Sequence, residues 1–313
     1  MHSRIVCLLK ATLREMTTAA QRTWLTPLDF ALLVFSNFIW GVNLVAAKLG
    51  IAEFPPVLFA ATRFAVLAVV LLPMLRMFRG QMRTLLQAAI YSGALGFALM
   101  YLGFKLTDNI SSMAIATQLG VPFTTLLSIW LLGERVRWRR KLGIALAFVG
   151  VAVVSFDPHA LDHAFGLLLV AASQLVVAYG TIHIKRLRDI SAWQLQAWIG
   201  LISAPGLLLL SLILDTGQWH AVTHATWIGW SAMLFTALAS SLVAHTMMFH
   251  LIAKYPVTSV QPINVLSALF SIACGVIWFD DHLTLRILVG GGLALCGVVI
   301  VAMRDQKMVD TGT

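Results

Sequence analysis

Glu134-Arg-Val-Arg-Trp-Arg-Arg-Lys-Leu-Gly143 lines up with Asp281-His-Leu-Thr-Leu-Arg-Ile-Leu-Val-Gly290, 147 residues further along the chain. The register continues into the apolar run that follows each stretch. Gly143, Ala147 and Gly150 fall on Gly290, Ala294 and Gly297, while Val151 and Val154 fall on Val298 and Val301. Small residues three and four apart share one helix face and let a second helix approach closely. The chain therefore reads as two copies of one unit, and these six small residues are its expected helix-packing face.

The solvent of that unit follows from composition. Of 313 residues, 59% are hydrophobic and 11% are Asp, Glu, Lys or Arg. Soluble domains carry roughly 25% charged residues. With a mean hydropathy of +0.88, the chain has too few charges to cover a soluble surface. An ordinary cytosolic enzyme and a disordered chain are both excluded as readings. A spanning helix needs about 20 mostly apolar residues, and ten such runs are present. They are Pro27–Ala47, Pro55–Leu75, Thr84–Phe104, Ile110–Leu132, Lys141–Phe156, Ala164–Ile184, Ala192–Leu214, Trp227–His250, Val257–Phe279 and Leu283–Met303. They are apolar on every face, whereas barrel strands alternate in segments of about 10 residues.

Charge placement gives the orientation. With the N-terminus in the cytoplasm, 18 of the 22 Lys and Arg residues fall on the cytoplasmic side. The exceptions are Lys48, Lys105 and Arg286 at outer ends and Arg63 within a span. The outer loops hold Glu53, Asp108, Asp157, Asp162, Asp215, Asp280 and Asp281. This is the positive-inside pattern, so the net charge of +9 reflects topology and no nucleic-acid partner is expected. Five spans per half is an odd number, so the second half is expected upside down. Inverted repeats are a recurrent device of secondary transporters, because two such halves can exchange conformations.

The expected fold is thus an all-α membrane protein: ten transmembrane helices as two inverted five-helix repeats, with both termini cytoplasmic. Residues 1–26 form a basic cytoplasmic segment, 27–156 the first repeat, 164–303 the second and 304–313 a cytoplasmic tail. No small-residue cleavage site follows an apolar core in the first segment, so no cleaved signal peptide is expected; Met16 is a second candidate start. Cys7, Cys274 and Cys296 show neither metal-ligand nor redox spacing.

The Trp40-Gly-Val-Asn-Leu-Val-Ala-Ala-Lys48 stretch, Pro55-Pro56, Arg63-Phe64 and Gly133-Glu134-Arg135 resemble the EamA branch of the drug/metabolite transporter superfamily. Within it the chain is similar to bacterial exporters of O-acetylserine, cysteine and related amino acids. The resemblance implies a multi-pass protein of the bacterial inner membrane with a central cavity, exporting small metabolites. Two departures stand out. Asp280-Asp281-His282 replaces the Gly-Glu-Arg usual in the family, and Leu269 stands where the first half has Pro122.

Polar groups inside a bilayer are costly and often functional. Arg63 lies roughly 12 Å below the outer surface at 1.5 Å per residue. Its planar fork suits a substrate carboxylate, and a structural pairing with helix-end carbonyls is the competing reading. Trp40 and Asn43 share a face of the first span. Thr117 and Gln118 precede the Gly120–Pro122 break of the fourth, where a proline frees a backbone carbonyl. Gln174, Gln261 and Asn264 reach comparable depths in the other half, and Tyr101 and Tyr179 are expected at an interface or cavity rim. As a set these residues suit a pocket for a zwitterion. His183, His245 and His250 are the candidates for proton coupling, with a satisfied bundle histidine as the alternative for each. Glu134 is expected to anchor a turn.

No His-Glu-x-x-His helix, Gly-x-Ser-x-Gly elbow or P-loop is present. Neither catalysis, a resident metal or cofactor, nor ATP-driven pumping by this chain alone is expected. The partners expected are the lipid bilayer and a small-molecule substrate. Import or exchange of another small metabolite or drug on the same architecture stays open beside export, and a membrane-embedded enzyme is the remote alternative.

Overall fold

The computed structural model describes residues 26–132, 138–155, 164–254 and 261–302. Among them the regular structure is helical and no strand occurs. Helix α1 is Pro27–Glu53, and α2 is Pro56–Leu71 followed by a 3-10 turn, Leu72–Met74. Helix α3 runs as Met82–Ala89, opens into a π segment at Ile90–Leu95 and resumes over Gly96–Lys105. Helix α4 is interrupted, Ile110–Thr117 then Gly120–Leu132. Helices α5, α6 and α7 are Trp138–Ser155, Ala164–Arg186 and Ala192–Leu214. Helix α8 runs as Trp227–Leu234, a π segment Phe235–Ala244, and His245–Lys254. A 3-10 turn, Gln261–Asn264, leads into α9, Val265–Phe279, and α10 is Leu285–Ala302.

Seven of these helices are long and apolar enough to cross a membrane. The segments Lys141–Val154, Val265–Phe279 and Leu285–Val301 are shorter apolar helices. The helix surfaces are inside out relative to a soluble protein. Ile213 and Val69 are 78% and 73% exposed, while Arg63 and Asn37 are 3% and 0% exposed. Apolar side chains so placed face hydrocarbon, and the polar ones are sheltered from it. The chain is a multi-pass membrane protein.

Helix starts carry the caps that water cannot supply. Thr26 caps α1 and is followed by Pro27. Asn109 caps α4 by accepting from the Ser112 N–H at 2.6 Å. Ser191 and Gln194 close a reciprocal capping box on α7. The break in α4 follows from Pro122, which has no N–H to offer residue 118. Around it the ladder tightens to i→i+3 bonds, with Gln118 N donating to Ile115 O at 3.1 Å and Val121 N to Gln118 O at 3.3 Å.

The helix pairs follow the repeat. α5 lies along α10 and α2 along α7, each beside its own counterpart. The contact of α3 with α6 is matched by α8 with α1, and that of α4 with α6 by α9 with α1. Relabelling the halves exchanges these pairs. The π segments correspond as well, since Ile90–Leu95 shifted by the repeat offset falls within Phe235–Ala244.

The small residues of the quoted repeat face one another across α5 and α10. A Cβ on Gly150 would lie 2.3 Å from Ala294 N, and one on Gly297 would lie 2.5 Å from Ala147 N. A Cβ on Gly143 would lie 2.8 Å from Gly297 O, and one on Gly290 2.7 Å from Gly150 O. Backbone therefore rests on backbone, and no side chain fits between.

The sequence pattern missed some features. Helix α1 continues past Ala47 to Glu53, so Lys48 is helical. A short helix, Gln218–His224, sits between α7 and α8. The substitution of Asp280 for a glycine has a conformational account: Asp280 ends α9 with φ of 50°, in the left-handed region. Aspartate is among the few side chains that adopt this geometry readily. Asp280 occupies the repeat position of Gly133. Gly133, Glu134 and residues 255–260, where the ninth span was expected to begin, lie outside the described residues.

Gly150→Val is expected to destabilise the protein by about 2 kcal/mol or more. The check is thermal unfolding in detergent. Gly292→Ala, whose Cβ meets nothing within 4 Å, should leave the midpoint unchanged.

Candidate functional site

Arg63 lies on α2 and is buried at 3% exposure. Its Nε donates to Ser241 Oγ at 2.9 Å and its Nη1 donates to Tyr101 Oη at 2.9 Å. The guanidinium also lies over the Phe97 ring, 4.7 Å from its centroid. Such ring faces attract a cation through their quadrupole. Among the described residues no Asp or Glu pairs with Arg63; an ion pair, Lys48–Asp108 at 3.2 Å, lies at the bundle end. A buried cation is thus held by neutral groups, an expensive arrangement in a low-dielectric interior.

Helix α8 brings a second group beside it. Ser241 Oγ donates to Thr236 O at 3.0 Å, a five-residue step set by the π segment. The neighbouring Ser240 carbonyl lies 2.8 Å from His245 Nδ1. Since a carbonyl only accepts, Nδ1 carries the proton. The His245 ring meets Trp40 edge to face at 5.0 Å between centroids. Trp40 Nε1 and Asn43 Oδ1 are buried, with no hydrogen-bond partner among the described residues. The same holds for Asn37 Oδ1, whose amide donates to Leu33 O at 2.8 Å and approaches Asn264 Oδ1 at 3.5 Å. π segments concentrate at functional sites, and this one carries both contacts.

Of the other candidates, Tyr101 meets Arg63 directly. Tyr101, expected at a rim, is fully buried and reaches Arg63 through its hydroxyl. The Thr117 hydroxyl is spent on Ala114 O of its own helix at 2.8 Å. Gln118 ends the first part of α4. Gln174 donates to Ser173 Oγ at 3.2 Å, and its Oε1 lies 2.9 Å from where a Gly120 Cβ would be. Tyr179 forms a separate aromatic group with Tyr91 and His183, at 4.9 Å to each ring. Both His183 nitrogens are buried without a partner among the described residues. The side chains of Gln261 and His250 lie outside the described residues. No group of three or more His, Cys, Asp or Glu able to hold a metal occurs among the described residues.

Sequence reasoning missed Ser241, Phe97 and Asn37. The polar pairs Ser36-Asn37 and Ser240-Ser241 inside apolar runs were the available signal. Nothing in the sequence says that Ser241 meets Arg63. Tyr101→Phe removes one acceptor from the buried guanidinium. Its expected cost is about 1–3 kcal/mol, read as a lowered unfolding midpoint in detergent.

Known proteins frame this geometry. Two proteins named probable amino-acid metabolite efflux pump are similar to the chain. The one from Escherichia coli (strain K12) is 26% identical over 297 residues, covering 91% of this chain and 99% of its own. The one from Salmonella typhimurium is 26% identical, covering 84% and 90%. An uncharacterized transporter of Bacillus subtilis, YvbV, is 29% identical over 88% of this chain and 92% of its own. A solved crystal structure at 16% identity superposes with a TM-score of 0.57, covering 87% of this chain and 95% of that one, and so shares its fold. The pattern of the EamA-like transporter family matches residues 29–156 and again residues 164–303. With both halves matched and nothing between them but a short linker, the chain belongs to the EamA-like transporter family.

Proposed function

We propose that this transporter exports small zwitterionic metabolites, amino acids or their derivatives, across the bacterial inner membrane. Ten spanning helices form two inverted five-helix halves with both termini in the cytoplasm, and rocking of the halves alternates access to a shared pocket. The observation that carries the substrate class is Arg63, a sheltered guanidinium without an acidic partner among the described residues. A substrate carboxylate is the group that its fork matches. Trp40 Nε1 offers an unused donor, and Asn43 Oδ1 and Asn37 Oδ1 offer unused acceptors for an ammonium group. Thr117, Gln118, Gln174, Gln261 and Asn264 would line the pocket further from the guanidinium, with Tyr179 at its edge. The names of the two efflux-pump relatives favour export over import, at 26% identity.

Energy coupling follows the same reasoning. His245 lies one helical turn from Ser241, which holds the guanidinium, and packs against Trp40. Its Nδ1 is committed to Ser240 O. Facilitated export or exchange is the simpler reading. Proton antiport through His245, His183 or His250 would show as transport driven by an imposed pH gradient.

Inverted vesicles carrying purified protein are expected to take up at least one labelled amino acid faster than empty vesicles. A broad panel in which none moves faster removes the amino-acid reading. Arg63→Ala should lower uptake roughly tenfold or more, the worth of a charge-assisted hydrogen bond, and Arg63→Lys should restore only part of it. Normal uptake by Arg63→Ala would end the binding role. Epitope tags inserted at Arg79 and at His159 should report opposite compartments; one shared compartment would end the inverted arrangement.

A further inference from the structure

Three carboxylates at one end of the bundle share a single kind of partner. Glu53, the last residue of α1, accepts from the Thr226 N–H and from the Thr226 hydroxyl, each at 2.6 Å. Thr226 is the N-cap of α8. Asp215, the C-cap of α7, accepts from Leu58 N–H in the first turn of α2 at 2.8 Å. Asp281, in the α9–α10 connection, accepts from Ser111 N–H and from the Ser111 hydroxyl in the first turn of α4, each at 2.8 Å.

In all three cases the acid comes from one half and the helix start from the other. The first half gives Glu53 to α8. The second half gives Asp215 to α2 and Asp281 to α4. A helix start presents unpaired N–H groups and the positive end of its dipole, so it favours a carboxylate. At α2 the need is plain, because its N-cap is Pro55, which has no side-chain cap bond.

Glycines make room for two of the three. A Cβ on Gly229 would lie 2.7 Å from Glu53 Oε2, and one on Gly275 would lie 2.5 Å from Asp281 Oδ2. Asp215 is further held by the Ser211 hydroxyl at 2.8 Å. The hydrogen bonds of Lys48 and Lys105 at this end stay within the first half. Lys48 bonds Phe104 O, Thr107 O and Asp108, and Lys105 bonds Ile51 O. A cleft of about 280 Å³ lined by Glu53, His220, His224 and Thr226 opens beside the first of the three ties.

The opposite end is joined too. There the described bonds between halves run from Gln81 to Arg188 backbone, from Trp198 Nε1 to Arg76 O and from Lys185 to Ser128 Oγ.

We propose that Glu53, Asp215 and Asp281 form the outer closure of the carrier. Each carboxylate seated on a helix start of the other half holds the outer ends together, and all three leave those starts when the transporter opens outward. This rests on the alternating-access reading above. It goes beyond that reading in naming which contacts break.

The test uses full-length protein in which Cys7, Cys274 and Cys296 are serine. One variant carries Glu53→Cys with Thr226→Cys, another Ser111→Cys with Asp281→Cys. Each pair is joined by a short bis-methanethiosulfonate cross-linker, which forms a disulfide with each thiol and expels sulfinate, and uptake of the labelled amino-acid panel into vesicles is measured before and after reduction. Joined protein should lose at least tenfold of its uptake and recover it on reduction, which also shows that the fold is intact. Uptake by joined protein at the reduced rate overturns the closure, because contacts that never part cannot be a gate.

A second readout needs no substrate. Ser241→Cys in the cysteine-free background is labelled from outside with a membrane-impermeant thiol reagent. Adding Asp215→Ala or Asp281→Ala should speed labelling roughly tenfold, the value of one charge-assisted bond; an unchanged rate in both overturns the closure. If the cysteine-free parent carries no member of the panel, the amino-acid reading fails, and the labelling rates still decide the closure.

Discussion

Hydrocarbon offers no hydrogen bonds, and every feature of this protein answers to that constraint. Backbone groups are satisfied within helices, and helix starts must find partners inside the protein. Thr26, Asn109 and Ser191 supply them locally, and Asp215 and Asp281 supply them from the opposite half. The hydrophobic effect cannot hold helices together in such a solvent, because lipid tails are as apolar as leucine. Close packing has to do so. That is why Gly150 lies on Ala294 backbone and Gly297 on Ala147 backbone, and why the repeat is clearest in glycine and alanine.

The same constraint decides how much of the molecule was legible in the sequence. The positions of the apolar helices could be read because a helix among lipid must be apolar over its whole length. The packing face of α5 and α10 could be read because close approach admits only small residues. Arg63 stood out because a lone cation in an apolar run is rare. What could not be read was its company. Ser241 lies 178 positions away in sequence, and one hydroxyl among many serines carries no mark of its partner. The α4 break was legible through Pro122. The π segments were not, because composition does not distinguish a widened turn from an ordinary one. The short helix Gln218–His224 is too brief and too polar for a periodicity argument. Asp280 was a puzzle as a side chain and is simple as a backbone conformation at φ of 50°.

Glu53, Asp215 and Asp281 illustrate a different limit. By sequence, Glu53, Asp215 and Asp281 are the negative half of a charge pattern that gives orientation. In the structure they are caps, each donated across the repeat boundary. The two descriptions are compatible, because topology needs only a sign on each side and a helix start needs a located oxygen. The sign is a sum over a loop and survives in composition. The location depends on which half the loop leans against.

Helix α8 is where these threads meet. Its N-cap, Thr226, is gripped by Glu53, and its π segment carries Ser241, which holds Arg63, and Ser240, which holds His245. A permanent acid beside Arg63 would neutralise it, and a substrate carboxylate would then have to displace that partner; removing one side of a buried pair costs about 3–5 kcal/mol. Neutral holders leave the charge available. Ser241 accepts from Arg63 and donates to Thr236 O in the same widened turn, so a carboxylate that draws the guanidinium away removes a bond from α8 itself. A ligand shifts a conformational equilibrium only by binding one state better than another. On the proposed reading the difference arises here, because occupying Arg63 loosens its hold on the same helix whose outer end has to leave Glu53.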